Sequence, residues 1–231
     1  INEDTPFFLS YGERTPKTHR SELNLSAPKK VVGFATRNIP HQGHKYIIEK
    51  ASDWAEIVFV LATVGQVSKN GYNPDSIRKG FEYLQENESF GDKIRFDFVS
   101  MPSFLAGTND ALLQALIRRN YGCTHFIVGR DHSGVGNFYS VYESQDCALE
   151  NEANLDIEIV PQKGPFFCNA CGGVRTEDIC EHFPDGNVIK EISSTVVKGM
   201  QRNEICVDGD LIDLDMNEHL LRGPNLFMGE A

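Results

Sequence analysis

Apolar residues along this chain fall into short runs that alternate with stretches of helical spacing, and the alternation predicts most of the elements. The run over 31–36 (Val-Val-Gly-Phe-Ala-Thr) suits a buried strand, and Ile47, Ile48, Ala51 and Trp54 mark a helix over 43–54. A second β-branched run over 57–61, a helix over 75–87 with Ile77, Phe81 and Leu84 on one stripe, and a strand over 94–99 follow. An amphipathic helix over 109–120 carries Leu112, Leu113, Leu116 and Ile117, with Thr108 or Asn109 as N-cap and Gly122 as its stop. A strand over 125–128, a helix over 138–150 and a strand over 155–160 complete the series. Such alternation predicts an α/β fold, a doubly wound Rossmann-like parallel sheet. Ligands of these sheets sit beyond the carboxyl ends of the strands, which directs attention to the loops after Ala35, Leu61, Val99 and Val128.

The flanks differ in texture. Residues 1–28 hold Pro6, Pro16 and Pro28 with few periodic apolar positions, and read as an extended lead-in. The expected division is this lead-in, an α/β domain over 29–165, a knuckle over 166–184 that holds Cys168, Cys171, Cys180 and His182 in metal-ligand spacing suited to zinc, and a helix with a C-terminal tail over 185–231. The first residue is Ile1 rather than Met, so a trimmed chain with something missing upstream is one expectation. The acidic tail beyond Cys206 carries no readable motif; it could pack on the domain or contact a neighbouring subunit of a homo-oligomer.

Composition narrows the function classes. At 231 residues, 40% hydrophobic and 24% charged, the chain is neither disordered, collagen-like nor a coiled coil. No stretch approaches the ~20 apolar residues of a membrane span. Lys and Arg number 22 against 33 Asp and Glu, and the resulting charge of -11 argues against nucleic acid as a partner. A locally positive pocket for a small anion remains compatible with that charge.

Of six cysteines, Cys168, Cys171 and Cys180 fall close together, with His182 two residues further on. Cys-x2-Cys-x8-Cys-x-His offers three thiolates and one imidazole, a closed tetrahedral set suited to structural zinc. Gly172 and Gly173 fit the turn of a knuckle, although Cys180 or His182 could be a bystander. Clustered thiols read as metal ligands in a reducing compartment, hence a cytoplasmic location. Cys123, Cys147 and Cys206 read as small buried hydrophobes.

Three loops carry candidate anion chemistry. After the first strand, Thr36-Arg37-Asn38-Ile39-Pro40-His41-Gln42-Gly43-His44 places two histidines three apart at a helix start. Unpaired backbone N–H groups and the helix dipole favour an anion there, and Arg37 can fork onto phosphate or sulfate. A metal-binding or merely solvent-facing His pair fits the spacing equally. After a later strand, Gly129-Arg130-Asp131-His132-Ser133-Gly134-Val135-Gly136 combines a cation, an imidazole, a carboxylate and glycines that permit close approach to phosphate. In Ile192-Ser193-Ser194-Thr195-Val196-Val197-Lys198, Ser193 or Ser194 can cap a helix running to about residue 202, with Lys198 a further cation.

These motifs closely resemble the catalytic domain of the sulfate adenylyltransferase (ATP sulfurylase) family, within the nucleotidyltransferase superfamily marked by His-x-x-His. The likeness runs from Val31 to Lys198, through Thr36-Arg37-Asn38, His41 and His44, the stretch from Asn120 to His132, and Phe167-Cys168 through Gly173, similar to a zinc-bearing insert. It implies AMP transfer from ATP to an oxyanion, sulfate by default, with release of pyrophosphate. By motif position His41 and His44 would stabilise the leaving pyrophosphate, Asn38 would orient the α-phosphate, and Arg37 would bind the attacking anion. Thr36, Gly129, Arg130, Asp131, His132 and the segment Ser193, Ser194, Thr195 and Lys198 would hold the nucleotide. Mg2+ would travel with it.

Three positions and one segment depart from the family pattern. Ala35 stands where the family has a Gln, Ser133 where Ala is usual, Lys198 where Arg is common, and Ser103 to Thr108 replace an Arg-Tyr-Ala-Gly-Pro segment. Ala35, Arg37 and Ser133 would line the acceptor side, where a lost amide leaves room for a phosphonate, phosphate ester or sulfonate; CTP could replace ATP. A catalytic domain without the family's separate N-terminal domain, lost or trimmed, is expected. Non-enzymatic alternatives are a degenerate nucleotide-binding regulator and a zinc-knuckle interaction module.

Overall fold

The computed structural model describes residues 14–23, 29–65, 71–87, 90–102, 104, 106–132, 138–203, 205–223 and 226–228. They form two compact units. The first takes the described residues within Ile1–Arg37, Ala51–Ser68 and Phe90–Gln162; the second those within Asn38–Lys50, Lys69–Ser89 and Lys163–Ala231. Both cut across the division expected from sequence, because the chain enters and leaves the second unit between strands.

The first unit is a parallel sheet of β1 (Val31–Thr36), β2 (Ile57–Val64), β3 (Ile94–Ser100), β4 (His125–Val128) and β5 (Glu158–Pro161), in the order β3-β2-β1-β4-β5. Seven of the eight residues of β2 are buried, as expected for a central parallel strand. Val31, Phe59, Leu61, Phe126 and Val128 form the core with Ala111, Ala115 and Ala148. The small alanines come from α4 (Asn109–Asn120) and α5 (Glu143–Glu150), where helix backbone must lie close to the sheet. Each buried Val, Leu or Phe contributes about 1.5–3 kcal/mol. The chain runs outward from β1 to β3, then returns to place β4 on the other side of β1. That reversal is the switch point at which ligands of open α/β sheets bind.

The sequence-based boundaries need four corrections. The lead-in is not extended throughout: Pro16–Glu22 is a helix (α1), with Pro16 in its first turn and Thr15 accepting from the Thr18 N–H at 3.2 Å. His19 anchors it, its Nε2 lying 2.8 Å from Asp97 Oδ2, where Arg14 Nε also donates at 3.0 Å. The helix after β1 is α2 (Gln42–Ser52); Trp54 lies beyond its end in a turn, with Lys30 Nζ 5.8 Å above its ring and His125 edge-on at 5.1 Å. Residues 138–142 are bend and turn, so α5 begins at Glu143, whose carboxylate accepts from the Ser140 N–H at 3.0 Å. Leu155 closes a short helix α6 (Glu152–Leu155), stopped by Asp156 in left-handed conformation (φ 53°), which delays β5 to Glu158.

The second unit contains the described residues of α2 up to Lys50, α3 (Pro74–Asn87), an antiparallel sheet of β6 (Phe166–Cys168), β7 (Gly173–Arg175) and β8 (Ile189–Glu191) in the order β7-β6-β8, α7 (Ser194–Arg202) and α8 (Leu214–Leu221). α3 packs on α8. A buried chain of hydrogen bonds runs from the Tyr72 hydroxyl to Gln201 Oε1 (2.7 Å) and from Gln201 Nε2 to Asn217 Oδ1 (2.7 Å). The tail that offered no motif therefore folds: Asp213 caps α8 by accepting from the Met216 N–H at 2.8 Å, and Met216 and Leu220 bury one face. Among the described residues no helix is long and apolar enough to cross a membrane.

Candidate functional site

In the first unit, two loops flank the switch point. β1 ends at Ala35, half-buried, and Thr36, buried, and delivers an exposed Arg37. β4 ends at Val128 and is followed by Gly129, exposed Arg130 and Asp131, and half-buried His132. Asp131 adopts φ 52°, a left-handed conformation uncommon for a residue with a Cβ. Its N–H donates to Val141 O at 2.7 Å, and the Ser144 hydroxyl donates to His132 O at 2.7 Å, so the turn is tied at both residues. The His132 ring stands edge-on to Phe126 at 5.6 Å. Burial, reinforced by the positive charge of Arg118 and then Arg37 against the opposite pull of Asp110, pushes His132 down to about 4. Arg37 and His132 are thus brought into electrostatic range. Ser133, Gly134 and Gly136, along with Ser103, lie outside the described residues.

In the second unit, the strand-to-helix connection continues through Asn38 and buried Ile39 and Pro40 to His41. Pro40 rests on α3 so closely that a Cβ at Gly80 would meet its Cδ at 2.6 Å. The start of α2 is held by the Gln42 N–H donating to Leu211 O (2.8 Å) and Gln42 Nε2 donating to Gly209 O (3.2 Å). His41 and His44 stack, with ring centroids 3.7 Å apart, and both are buried. The His44 N–H donates to His41 Nδ1 at 3.3 Å, which leaves the His41 proton on Nε2. Burial holds His41 well below its usual value, with the neighbouring His44 and then Lys198 adding to the effect. Burial, opposed by a hydrogen bond with the Ile39 backbone, brings His44 down to about 4.

α7 opens with Ser193 as its cap, accepting from the Val196 N–H at 3.3 Å; Ser194 and Thr195 occupy the first turn. Lys198 Nζ sits 4.8 Å above the ring of Tyr72. Sequence reasoning found Lys198 and missed Tyr72. A lone Tyr between a strand and a helix carries no signal until the fold puts it beneath a cation. His41, His44 and Lys198 are therefore gathered within this unit.

Also in this unit, one ligand atom from each of Cys168, Cys171, Cys180 and His182 lies within 4.8 Å of the others. His182 Nδ1 is 3.7 Å from Cys168 Sγ and 3.4 Å from Cys171 Sγ, and Cys171 Sγ is 4.0 Å from Cys180 Sγ. A tetrahedral zinc with ordinary bond lengths sets ligands about 3.5–3.8 Å apart, so the quartet fits a metal ion. Gly172 takes φ +64° at the turn, and the Cys171 N–H donates to Cys168 Sγ at 3.4 Å, orienting that sulfur.

A five-stranded parallel sheet in this strand order, reversing at β1 and β4, defines an α/β protein of the doubly wound class. The ATP-sulfurylase family matches residues 12–220, and the chain belongs to that family. It is 41% identical over 192 residues to the sulfate adenylyltransferase of Carboxydothermus hydrogenoformans, covering 81% of this chain and 49% of that protein. It is 37% identical over 185 residues to that of Ignicoccus hospitalis, with coverage of 80% and 48%. For the Pyrococcus abyssi protein the identity is 37% over 202 residues, with 87% and 52% covered. The chain thus spans about half the length of these relatives. A hexameric APS kinase from Thiobacillus denitrificans shares the fold, with TM-score 0.67 and 15% identity over 94% of this chain and 41% of that one.

Proposed function

We propose that this chain carries the adenylyl-transfer centre of a sulfate adenylyltransferase. A sulfate oxygen attacks the α-phosphorus of ATP, the bond to the pyrophosphate oxygen breaks, and adenosine 5'-phosphosulfate and pyrophosphate form. No covalent enzyme intermediate is required, so catalysis consists of positioning and charge stabilisation. The observation that carries the reading is the buried, stacked pair His41–His44 with Lys198 in its electrostatic surroundings.

In this reading His41 and His44 bind the β- and γ-phosphates and stabilise the leaving pyrophosphate. His41, protonated on Nε2, enters as a hydrogen-bond donor; the incoming polyphosphate supplies the counter-charge that burial withholds and raises both imidazole pKa values. Lys198 adds a point charge, a weaker match than a bidentate Arg. Asn38 orients the α-phosphate and Arg37 holds sulfate, with Ala35 and, by motif position alone, Ser133 assigned to the acceptor. Thr36, Gly129, Arg130, Asp131 and His132 bind the nucleoside side, and the first turn of α7 (Ser193, Ser194, Thr195) offers N–H groups to phosphate. Magnesium accompanies the triphosphate as part of the substrate. Cys168, Cys171, Cys180 and His182 would hold a structural zinc, whose closed ligand set leaves it no catalytic position.

Pyrophosphate release from ATP, and separately from CTP, with sulfate and with larger oxyanions tests the reading. His41→Ala and His44→Ala are expected to lower turnover more than nucleotide affinity, because their contribution grows with charge in the transition state. Wild-type kinetics in both variants, or nucleotide binding without turnover for any oxyanion, would refute it.

A further inference from the structure

Arg118 heads the fully buried side chains by volume among the described residues. It projects from α4 across one face of the sheet and touches three adjacent strands. Its Nη2 donates to Leu61 O in β2 at 2.5 Å, and its guanidinium lies over the ring of Phe126 in β4 at 5.7 Å. In β1, Gly33 yields space to it: a Cβ there would stand 2.6 Å from Arg118 Cγ. Nη1 donates to Gln114 within α4. No carboxylate among the described residues lies within ion-pair distance, Asp110 acting only at longer range, and the Nε–H is buried with no hydrogen-bond partner. A guanidinium held this way is costly relative to a packed apolar side chain. His132, against the same Phe126, has its Nε2 buried and likewise without a hydrogen-bond partner.

We propose that Arg118 is a positioning residue for the Gly129–His132 loop, fixing the His132 ring with its Nε2 lone pair toward the guanidinium and its proton on Nδ1. A fixed cation beside an imidazole opposes a second positive charge and favours the orientation that turns a lone pair to it. The ring, packed on Phe126, then holds the backbone turn that Asp131 and Ser144 tie from the other side. The low pKa of His132 accords with this, Arg118 being its largest electrostatic contributor after burial, with Arg37 adding to it and Asp110 opposing. The functional consequence rests on the proposal above that this loop holds the nucleotide.

Three variants of the full chain separate the possibilities: Arg118→Met removes the charge, Arg118→Lys keeps it with a different reach, and Gly33→Ala displaces the side chain with its charge intact. The readouts are the ring 15N signals of His132 across pH, and KM for ATP against kcat from pyrophosphate release. In Arg118→Met the ring is expected to populate both tautomers and to titrate at higher pH, Gly33→Ala to shift the tautomer balance, and Arg118→Lys to restore most of the wild-type signal. KM for ATP is expected to rise about ten- to a hundredfold in Arg118→Met, by analogy with the loss of a group that orients a metal-ligating His, with kcat changing far less. A wild-type His132 spectrum in folded Arg118→Met overturns the inference; if that variant does not fold, a wild-type spectrum in Gly33→Ala does so. Wild-type protein that binds no ATP refutes the proposed function, while the ring signals still decide the role of Arg118.

Discussion

Gly80 and Gly199 sit inside helices of the second unit, and the same substitution should act on them with opposite sign. In an open helix position Gly→Ala stabilises by about 1 kcal/mol through backbone entropy. At Gly199 in α7 a new Cβ meets nothing within 4 Å, so the full gain is expected. At Gly80 in α3 it would meet Pro40 Cδ at 2.6 Å, Pro40 Cγ at 3.2 Å and Ile39 Cβ at 3.7 Å. A pyrrolidine ring bonded into a buried connection cannot swing aside as a flexible side chain does, and overpacking of this kind costs about 1–3 kcal/mol. The propensity gain is common to both variants, so their difference isolates the steric effect. Gly80→Ala should be less stable than Gly199→Ala by about 1–3 kcal/mol, or roughly 2–12 °C at about 2–4 °C per kcal/mol for a chain of this size. Thermal unfolding followed by far-UV circular dichroism measures it. Pro40 precedes His41, so Gly80→Ala should also lower turnover. Equal stabilisation of both variants would show that α3 does not bear on the His41 connection and would remove the physical reason for a glycine there.

Further outcomes follow from the two units. Chelation, or Cys180→Ser, is expected to abolish amide protection over 166–191, since the core there is little more than Phe166, Cys168 and Cys180; protection that survives verified metal removal, or protein purified with under about half an equivalent of zinc, would refute a structural metal. Because burial holds His41, His44 and His132 below the ordinary value of 6.5, the unfolded chain takes up protons first as pH falls. Stability should therefore be full above pH 6.5 and decline toward pH 4, less steeply in His44→Gln; an unchanged slope in urea titrations would contradict this. Against the opposing effect of burial, hydrogen bonds from His19, the Phe98 N–H and Arg14 hold Asp97 below its usual 3.8. That stabilisation is present above pH 3.8 and lost as pH falls through the lower folded value, so Asp97→Asn should cost about 1.5–3 kcal/mol at neutral pH and progressively less in acid.

The strands and the α4 helix were legible because their residues answer to local rules. β4 and α4 occur at the predicted bounds, with burial along β4 complete and Asn109–Asn120 helical. The misreadings came where one residue outweighs a pattern. Pro16 looked like a breaker and is a helix starter, and Asp156 turned an apolar run into a helix end. In the site, His41, His44, Lys198 and the Cys/His quartet could be singled out because their chemistry is unusual for their spacing. Gly33, Gly80, Tyr72 and Arg118 could not, since each matters through a contact distant in sequence. An Arg on a predicted amphipathic helix reads as solvent-facing until the fold closes over it.

Trp54 is the single tryptophan of the chain, and it belongs to the first unit, partly exposed between Lys30 and His125. The protein is consequently one-sided as an optical object. Its intrinsic emission reports the surroundings of the parallel sheet, where the His125 ring stands edge-on at 5.1 Å. The metal-suited sheet and the His41–His44 helix start carry no such reporter, so an emission trace alone would describe an unfolding in which half the chemistry goes unseen.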